Sequence, residues 1–250
     1  VSPSKRKKVG LIECKNGFGQ KALLERKYSL PLLNNIGEIS GYIKNMEDIH
    51  YRIFFCREDR GRLKGTAALR YIEWAEKSPD SFIIVSKGKN KGKKIRMSEC
   101  ASVISRKEWY QLSDLKPSKL YLPRGVKNRH LIPTGAKAFH SDQSQYAVYC
   151  EKEMDYWLFF SSSVFRLFME LYGEIQGAGA LVLTVDDYKN IPVLHPIPEL
   201  HKEFKNLEKF ISRETYRIVN IVKQGPLEFE KNDRDELDDI VLRKMGFTDT

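Results

Sequence analysis

The sequence has no run approaching the roughly 18 consecutive apolar residues of a membrane-spanning helix, and no membrane partner is expected. Its start, "VSPSKRKKVG", is charged and shows no signal-peptide pattern. Cysteine is scarce and scattered: Cys14, Cys56, Cys100 and Cys150 form neither a C-x-x-C pair nor a dense framework. That usage predicts buried structural cysteines, reduced in a cytoplasmic protein. Catalytic signatures are missing as well. The five histidines (50, 130, 140, 195, 201) show no H-E-x-x-H or Cys/His metal spacing. There is no G-x-S-x-G elbow and no Pro-Pro dipeptide, and "NGFG" and "GAG" are too short for a phosphate or dinucleotide loop. "IECK" at 12–15 has the Glu-x-Lys form of half a metal-nuclease motif, but none of the twelve residues before Glu13 is acidic. An ordinary strand is the preferred reading there, because metal hydrolysis needs a full ligand set. No active site, metal site or bound cofactor is expected within the chain.

What is present is globular. The 250 residues are 41% hydrophobic and 11% aromatic, enough for a sizeable core in one large domain or two small ones. The formal net charge is +10, and its distribution is uneven. Thirteen Lys/Arg face three acids between Lys87 and Arg129, and the remainder holds thirty of each sign. A neutral scaffold with one concentrated basic segment more often faces a polyanion than a uniformly basic chain does.

The pattern along the chain predicts an α+β fold. "VGLIEC" reads as a short strand, "NGFG" as a turn, and "QKALLERKY" as a helical stretch. "LPLLNNIGEISGYIKN" is loop-rich, and "HYRIFFCRE" reads as a buried strand. Thr66 suits the N-cap of a helix over "TAALRYIEWAEKS" that carries Leu69, Ile72, Glu73 and Glu76 on one face and stops before Pro79. Residues 81–112 read as strand, basic hairpin or loop, then strand, with Gly88 and Gly92 permitting the turn. "KLYLP", "RHLIP" and "SQYAVYC" read as three more strands. "DYWLFFSSSVFRLFMELYG" predicts one buried helix capped by Gly173. "GAGALVLTVDDY" predicts a strand with Leu181, Leu183 and Val185 on one face, followed by a proline-punctuated connector. The apolar spacing from Glu199 to about Val222 predicts one long amphipathic helix. "RDELDDIVLRKMG" predicts a last helix with Leu237, Ile240 and Val241 inward and Gly246 at its end.

The basic segment has both residue types that a nucleic-acid surface needs. Lys87, Lys89, Lys91, Lys93 and Lys94 are point charges suited to phosphates without sequence preference, joined by Lys107 and Lys127. Arg96, Arg106, Arg124 and Arg129 carry the fork that pairs with a guanine edge, and Asn128 has the amide that pairs with adenine. Trp109 and Tyr110 are candidates to line a groove, with a core position the competing reading for Trp109. A solvated loop kept for solubility is the competing reading for the lysines.

Motif order adds a resemblance. "LKGTAALRYIEWAEKS", "SRKEWYQL", "LPRGVKNRHLIP", "DYWLFFSSSVFRLFMELYGEIQGAGALVLTVDDYKNIPVLHP" and "RDELDDIVLRKMGFT" occur in this sequence. As an ordered series they resemble the C-terminal target-recognition (specificity) region of adenine-specific (N6) DNA methyltransferases of restriction–modification systems. Where that family usually shows "LNS", this chain has "FSSSV" at 160–164. The resemblance implies a mixed-sheet target-recognition domain over 51–198 with a buried helix, a helical appendage over 199–250, and a connecting segment over 1–50. It implies double-stranded DNA as partner, together with a catalytic methyltransferase domain or subunit. S-adenosylmethionine and the Asn/Asp-Pro-Pro-aromatic motif would belong to that other part. An RNA-binding or protein-interaction module, or a metal-dependent nuclease, are the alternatives.

Overall fold

The computed structural model describes residues 10–88, 90–177, 179–218 and 227–247. It has the predicted α+β composition, arranged as two compact units whose chain segments interleave. One is Val1–Leu30 with Arg52–Leu115; the other is Pro31–Tyr51 with Lys116–Thr250. These spatial units cut across the segments 1–50, 51–198 and 199–250 drawn from the sequence. All four cysteines are free thiols, and Cys56 is buried.

The first unit starts with the antiparallel hairpin β1 (Leu11–Lys15) and β2 (Lys21–Glu25), with Leu11 opposite Glu25 and Lys15 opposite Lys21. The helix expected over 20–28 is therefore a strand followed by a single 3-10 turn at Arg26–Tyr28. Good helix formers yield here because pairing with β1 satisfies their backbone. The Asn16 side chain closes the turn by accepting from the amides of Phe18 and Gln20, both at 3.0 Å. After β4 (Arg52–Phe54), helix α1 (Ala67–Lys77) begins as predicted, the Thr66 hydroxyl accepting from the Leu69 amide at 3.1 Å. A second cap was not legible: the Glu25 carboxylate accepts from the Ala67 and Ala68 amides at 2.7 and 3.0 Å. The core of this unit gathers Tyr28, Cys56, Leu63, Ala68, Ile72 and Tyr110. The hairpin β5 (Phe82–Ile84) and β6 (Lys94–Arg96) completes its strands.

In the second unit the strands β10 (Gln145–Val148), β7 (Ser118–Pro123) and β9 (Thr134–Ser141) are neighbours, joined by antiparallel pairing. The end of β3 (Ser29–Leu33) pairs with β9 in parallel, Leu32 opposite His140, so the sheet is mixed. A smaller sheet orders β11 (Glu174–Gln176), β12 (Ala180–Val182) and β8 (Gly125–Val126). "RHLIP" is not a strand. Arg129 makes only an isolated bridge to Arg217, the Pro133 carbonyl accepts from the Tyr121 amide at 2.9 Å, the Trp157 indole donates to the Ile132 carbonyl at 3.2 Å, and β9 begins only after Pro133.

The buried helix expected over 155–172 is two helices, α2 (Glu153–Ser161) and α3 (Ser163–Tyr172). Ser162 is extended between them, donating to the Phe159 carbonyl at 2.7 Å and accepting from the Phe165 amide at 3.2 Å. Ser162 thus acts as a stop and a cap. Gly173 follows α3 because a Cβ there would sit 2.8 Å from the Met169 carbonyl oxygen. α4 (Val185–Asn190) follows β12; Leu181 and Leu183 are buried, whereas Val185 is exposed.

The long helix expected over 199–222 is also corrected: α5 (Leu200–Glu203) and α6 (Leu207–Ser212) are short, and 219–226 lies outside the described residues. The Glu236 carboxylate takes the Lys205 and Asn206 amides at 2.9 and 3.2 Å, so a side chain thirty residues away ends one helix and starts the next. Arg213 is then drawn into a buried network with Glu228 and Asp233. The last helix, α7 (Asn232–Lys244), buries Leu237, Ile240 and Val241 as predicted. Leu158, Phe159, Phe165, Met169 and Leu200 join them in the main core.

Candidate nucleic-acid interface

The sequence-predicted residues divide between the units. In the first, Phe82 stands opposite Arg96 and Ile84 opposite Lys94. The Gly92 amide donates to the Val85 carbonyl at 2.8 Å and the Val85 amide to the Lys93 carbonyl at 2.9 Å, extending the ladder into the turn. Gly88 and Gly92 have φ of 79° and 84°, the left-handed region that costs a glycine nothing. The ladder of this hairpin is made by backbone groups, so the lysines at its turn are not needed to hold it together. Lys87, Lys91, Lys93 and Lys94 are exposed, and none makes an ion pair among the described residues. Lys89 lies outside the described residues. The Lys94 ammonium and the Arg96 guanidinium lie 5.2 and 5.0 Å from the centre of the Phe82 ring, which gives the base of the hairpin some rigidity.

The next group is tied into the unit. Arg106 donates to the Gln111 carbonyl at 3.1 Å, and Lys107 pairs with Asp59 at 2.9 Å. The Trp109 indole donates to Glu76 at 2.8 Å, and Glu76 also receives Arg60. Burial pushes the Glu76 carboxyl up, but these two donors outweigh it and hold it below the usual range. Tyr110 is 3% exposed and donates to the Glu58 carbonyl at 3.0 Å, and burial pushes its phenol up to about 12. Tyr110 therefore belongs to the core of the unit, and the half-buried Trp109 packs against it with its indole N–H bound.

In the second unit, Arg124 is exposed at the junction of β7 and β8, its backbone fixed by the Ser144 carbonyl at 2.8 Å and the Leu183 amide at 2.9 Å. Lys127, Asn128 and Arg129 line a groove of about 400 Å³ with Asn35, Gly37 and Leu131. One arm of the Arg129 guanidinium donates to the Ile39 carbonyl at 3.3 Å, and the Asn128 carbonyl accepts from the Ile218 amide at 2.8 Å. The groove walls are thus held by backbone contacts while Lys127 remains exposed and without an ion pair among the described residues. Asn35 was not anticipated. Its side-chain oxygen accepts from the Gly37 amide at 2.7 Å and shapes a 3-10 turn, bringing a second carboxamide to the wall that holds Asn128. The only hint in the sequence was the "NNIG" turn chemistry, which says nothing of a partner ninety residues on.

Among the described residues no three His, Cys, Asp or Glu side chains gather into a metal site. No helix of the described residues is long and apolar enough to cross a membrane.

No protein-family model and no curated protein matches the chain. Among solved structures it is similar to the type IIG restriction endonuclease BpuSI, with a TM-score of 0.51 and 15% identity. The match covers 88% of this chain and 27% of that one, so the chain spans about a quarter of the length of its structural neighbour. At this identity the likeness is one of fold.

Proposed function

We propose that this chain is the target-recognition part of a restriction–modification enzyme, binding duplex DNA for an adenine-N6 methyltransferase whose methyl-transfer site lies outside it. The observation that carries the reading is the β5–β6 hairpin, where the densest cations of the sequence are exposed and unopposed by acids. A hairpin kept only for internal packing would bury or pair some of them. Similarity of fold to part of a type IIG restriction endonuclease supports the same reading.

Two kinds of contact are assigned. The hairpin lysines neutralise phosphates, which gives affinity without sequence preference. The groove of Lys127, Asn128 and Arg129, with Asn35, supplies carboxamides and a guanidinium fork, the groups that read base edges. Arg124 stands beside it. Chemistry on the methyl group, and the S-adenosylmethionine that supplies it, belongs to the catalytic partner domain or subunit.

The test is a selection of preferred sites from a randomised duplex library, with wild type, Asn128→Ala and Arg124→Ala. The expected result is an altered or relaxed base preference at one or two positions, with a loss of about ten- to a hundredfold for the original site. An unchanged preference in both variants would remove the groove from the assignment. Tighter binding of structured RNA than of duplex at matched salt would overturn the reading as a whole.

A further inference from the structure

The first unit holds a second groove, lined by none of the residues used in the proposal above. Its volume is about 330 Å³, within the range of small-ligand clefts, and Lys21, Arg70, Tyr71 and Trp74 line it. Arg70 and Trp74 are four residues apart on α1 and Tyr71 is three from Trp74, so all three project from neighbouring faces of one helix. The Tyr71 and Trp74 rings are stacked at 5.7 Å with only 14° between their planes. Phe18, 38% exposed at the tip of the β1–β2 turn, forms a T-shaped pair with Trp74, ring centres 6.1 Å apart.

This aromatic group is ordered before any ligand arrives. Asn16 closes the turn that carries Phe18, and its Nδ2 donates to the Tyr71 hydroxyl at 3.2 Å. Phe54 supports Tyr71 from another side at 5.4 Å. Trp74 is only half-buried, and its indole N–H makes no hydrogen bond among the described residues. That separates it from Trp109, whose indole is bound to Glu76, and from the buried Trp157. The charge of the groove is uncompensated. Lys21 and Arg70 are exposed without ion pairs among the described residues, while the nearby Glu25 is spent on the Ala67 and Ala68 amides.

We infer that this groove binds an unpaired nucleotide, its base stacked against the Tyr71–Trp74 pair and its phosphate held between Lys21 and Arg70. A flat, sequence-tolerant π surface beside two cations suits a nucleobase carrying a phosphate, and it suits neither a neutral apolar ligand nor a duplex with its bases stacked inside. The site does not depend on the duplex-recognition reading, since no residue is shared between them.

The test titrates the chain with a fluorescein-labelled 12-nucleotide oligothymidine and with an abasic oligomer of the same length, following anisotropy and tryptophan emission. The base-bearing strand is expected to bind at least tenfold more tightly than the abasic one and to quench emission. Trp74→Leu is expected to weaken it about ten- to a hundredfold. Trp74→Phe keeps a ring, so binding is retained within about threefold while the quench disappears. The surface pair Lys21→Gln with Arg70→Gln is expected to weaken both oligomers, and because neither side chain is buried, this variant separates lost binding from lost folding. Equal affinity for the two oligomers, quenching that survives in Trp74→Phe, or full affinity in the Lys21/Arg70 variant would each overturn the site.

Discussion

Replacing Lys91, Lys93 and Lys94 together by glutamine tests the hairpin directly. None of the three side chains carries a hydrogen bond or ion pair among the described residues, and the β5–β6 ladder is made by backbone groups alone. Thermal stability should therefore fall by no more than the Lys94–Phe82 ring contact contributes, about 0.5–1 kcal/mol, so a larger loss of binding is a loss of contacts. Each lysine that neutralises a phosphate releases about 0.9 of a counterion, so removing three contacts lowers the slope of log K against log salt by between about two and three. Over a rise from about 50 to 200 mM salt, the wild type should then lose about fortyfold more affinity than the variant. Anisotropy with two unrelated duplexes, over that range of salt, measures both quantities. The loss should be the same for both duplexes, because phosphate contacts carry no sequence information. A slope that stays put, or a loss confined to one duplex, would refute the assignment of these lysines to the DNA backbone.

Two further predictions concern stability. Glu228 is fully buried and accepts from Arg213 at 2.7 Å and Arg234 at 2.6 Å, and Arg234 is itself 1% exposed. Glu228→Gln leaves Arg234 buried without its carboxylate and should cost about 3–5 kcal/mol in urea unfolding; a cost below about 1 kcal/mol would mean that the network is dispensable. His130 is buried, and burial first, then the charges of Arg234 and Arg166, hold its imidazole neutral well below the usual range. The unfolded chain takes up a proton below about pH 6.5 and the folded chain does not, so stability should fall by about 1.4 kcal/mol per pH unit as pH drops below 6. His140 is lowered by burial too, so the share of His130 is the difference in slope between wild type and His130→Gln; identical slopes would refute it.

Sequence-based expectation succeeded where the deciding interaction was local. Thr66 and α1, the glycine-hinged basic hairpin, and the inward face of α7 all follow from residues within a few positions of one another. It failed where a distant group intervened. The 20–28 stretch has helical composition, yet β1 claims its backbone. The 199–222 periodicity is genuine, yet Glu236 interrupts it by capping across thirty residues. In the candidate interface the same division holds. The lysine-rich hairpin was legible as composition, whereas the roles of Trp109 and Tyr110 were open until Glu76 and the Glu58 carbonyl claimed their polar atoms.

By itself, the sequence determined that the surplus charge is concentrated in one segment, and that glycines at 88 and 92 let the chain turn there, because charge and backbone freedom belong to the residues themselves. Only the tertiary structure decided which cations stay unpaired, that Asn35 shares a groove with Asn128, and that the Trp109 indole is bound to Glu76 while Trp74 lines a groove. Those outcomes depend on what a side chain meets across the fold, and burial and pairing are properties of the folded surroundings, not of the residue.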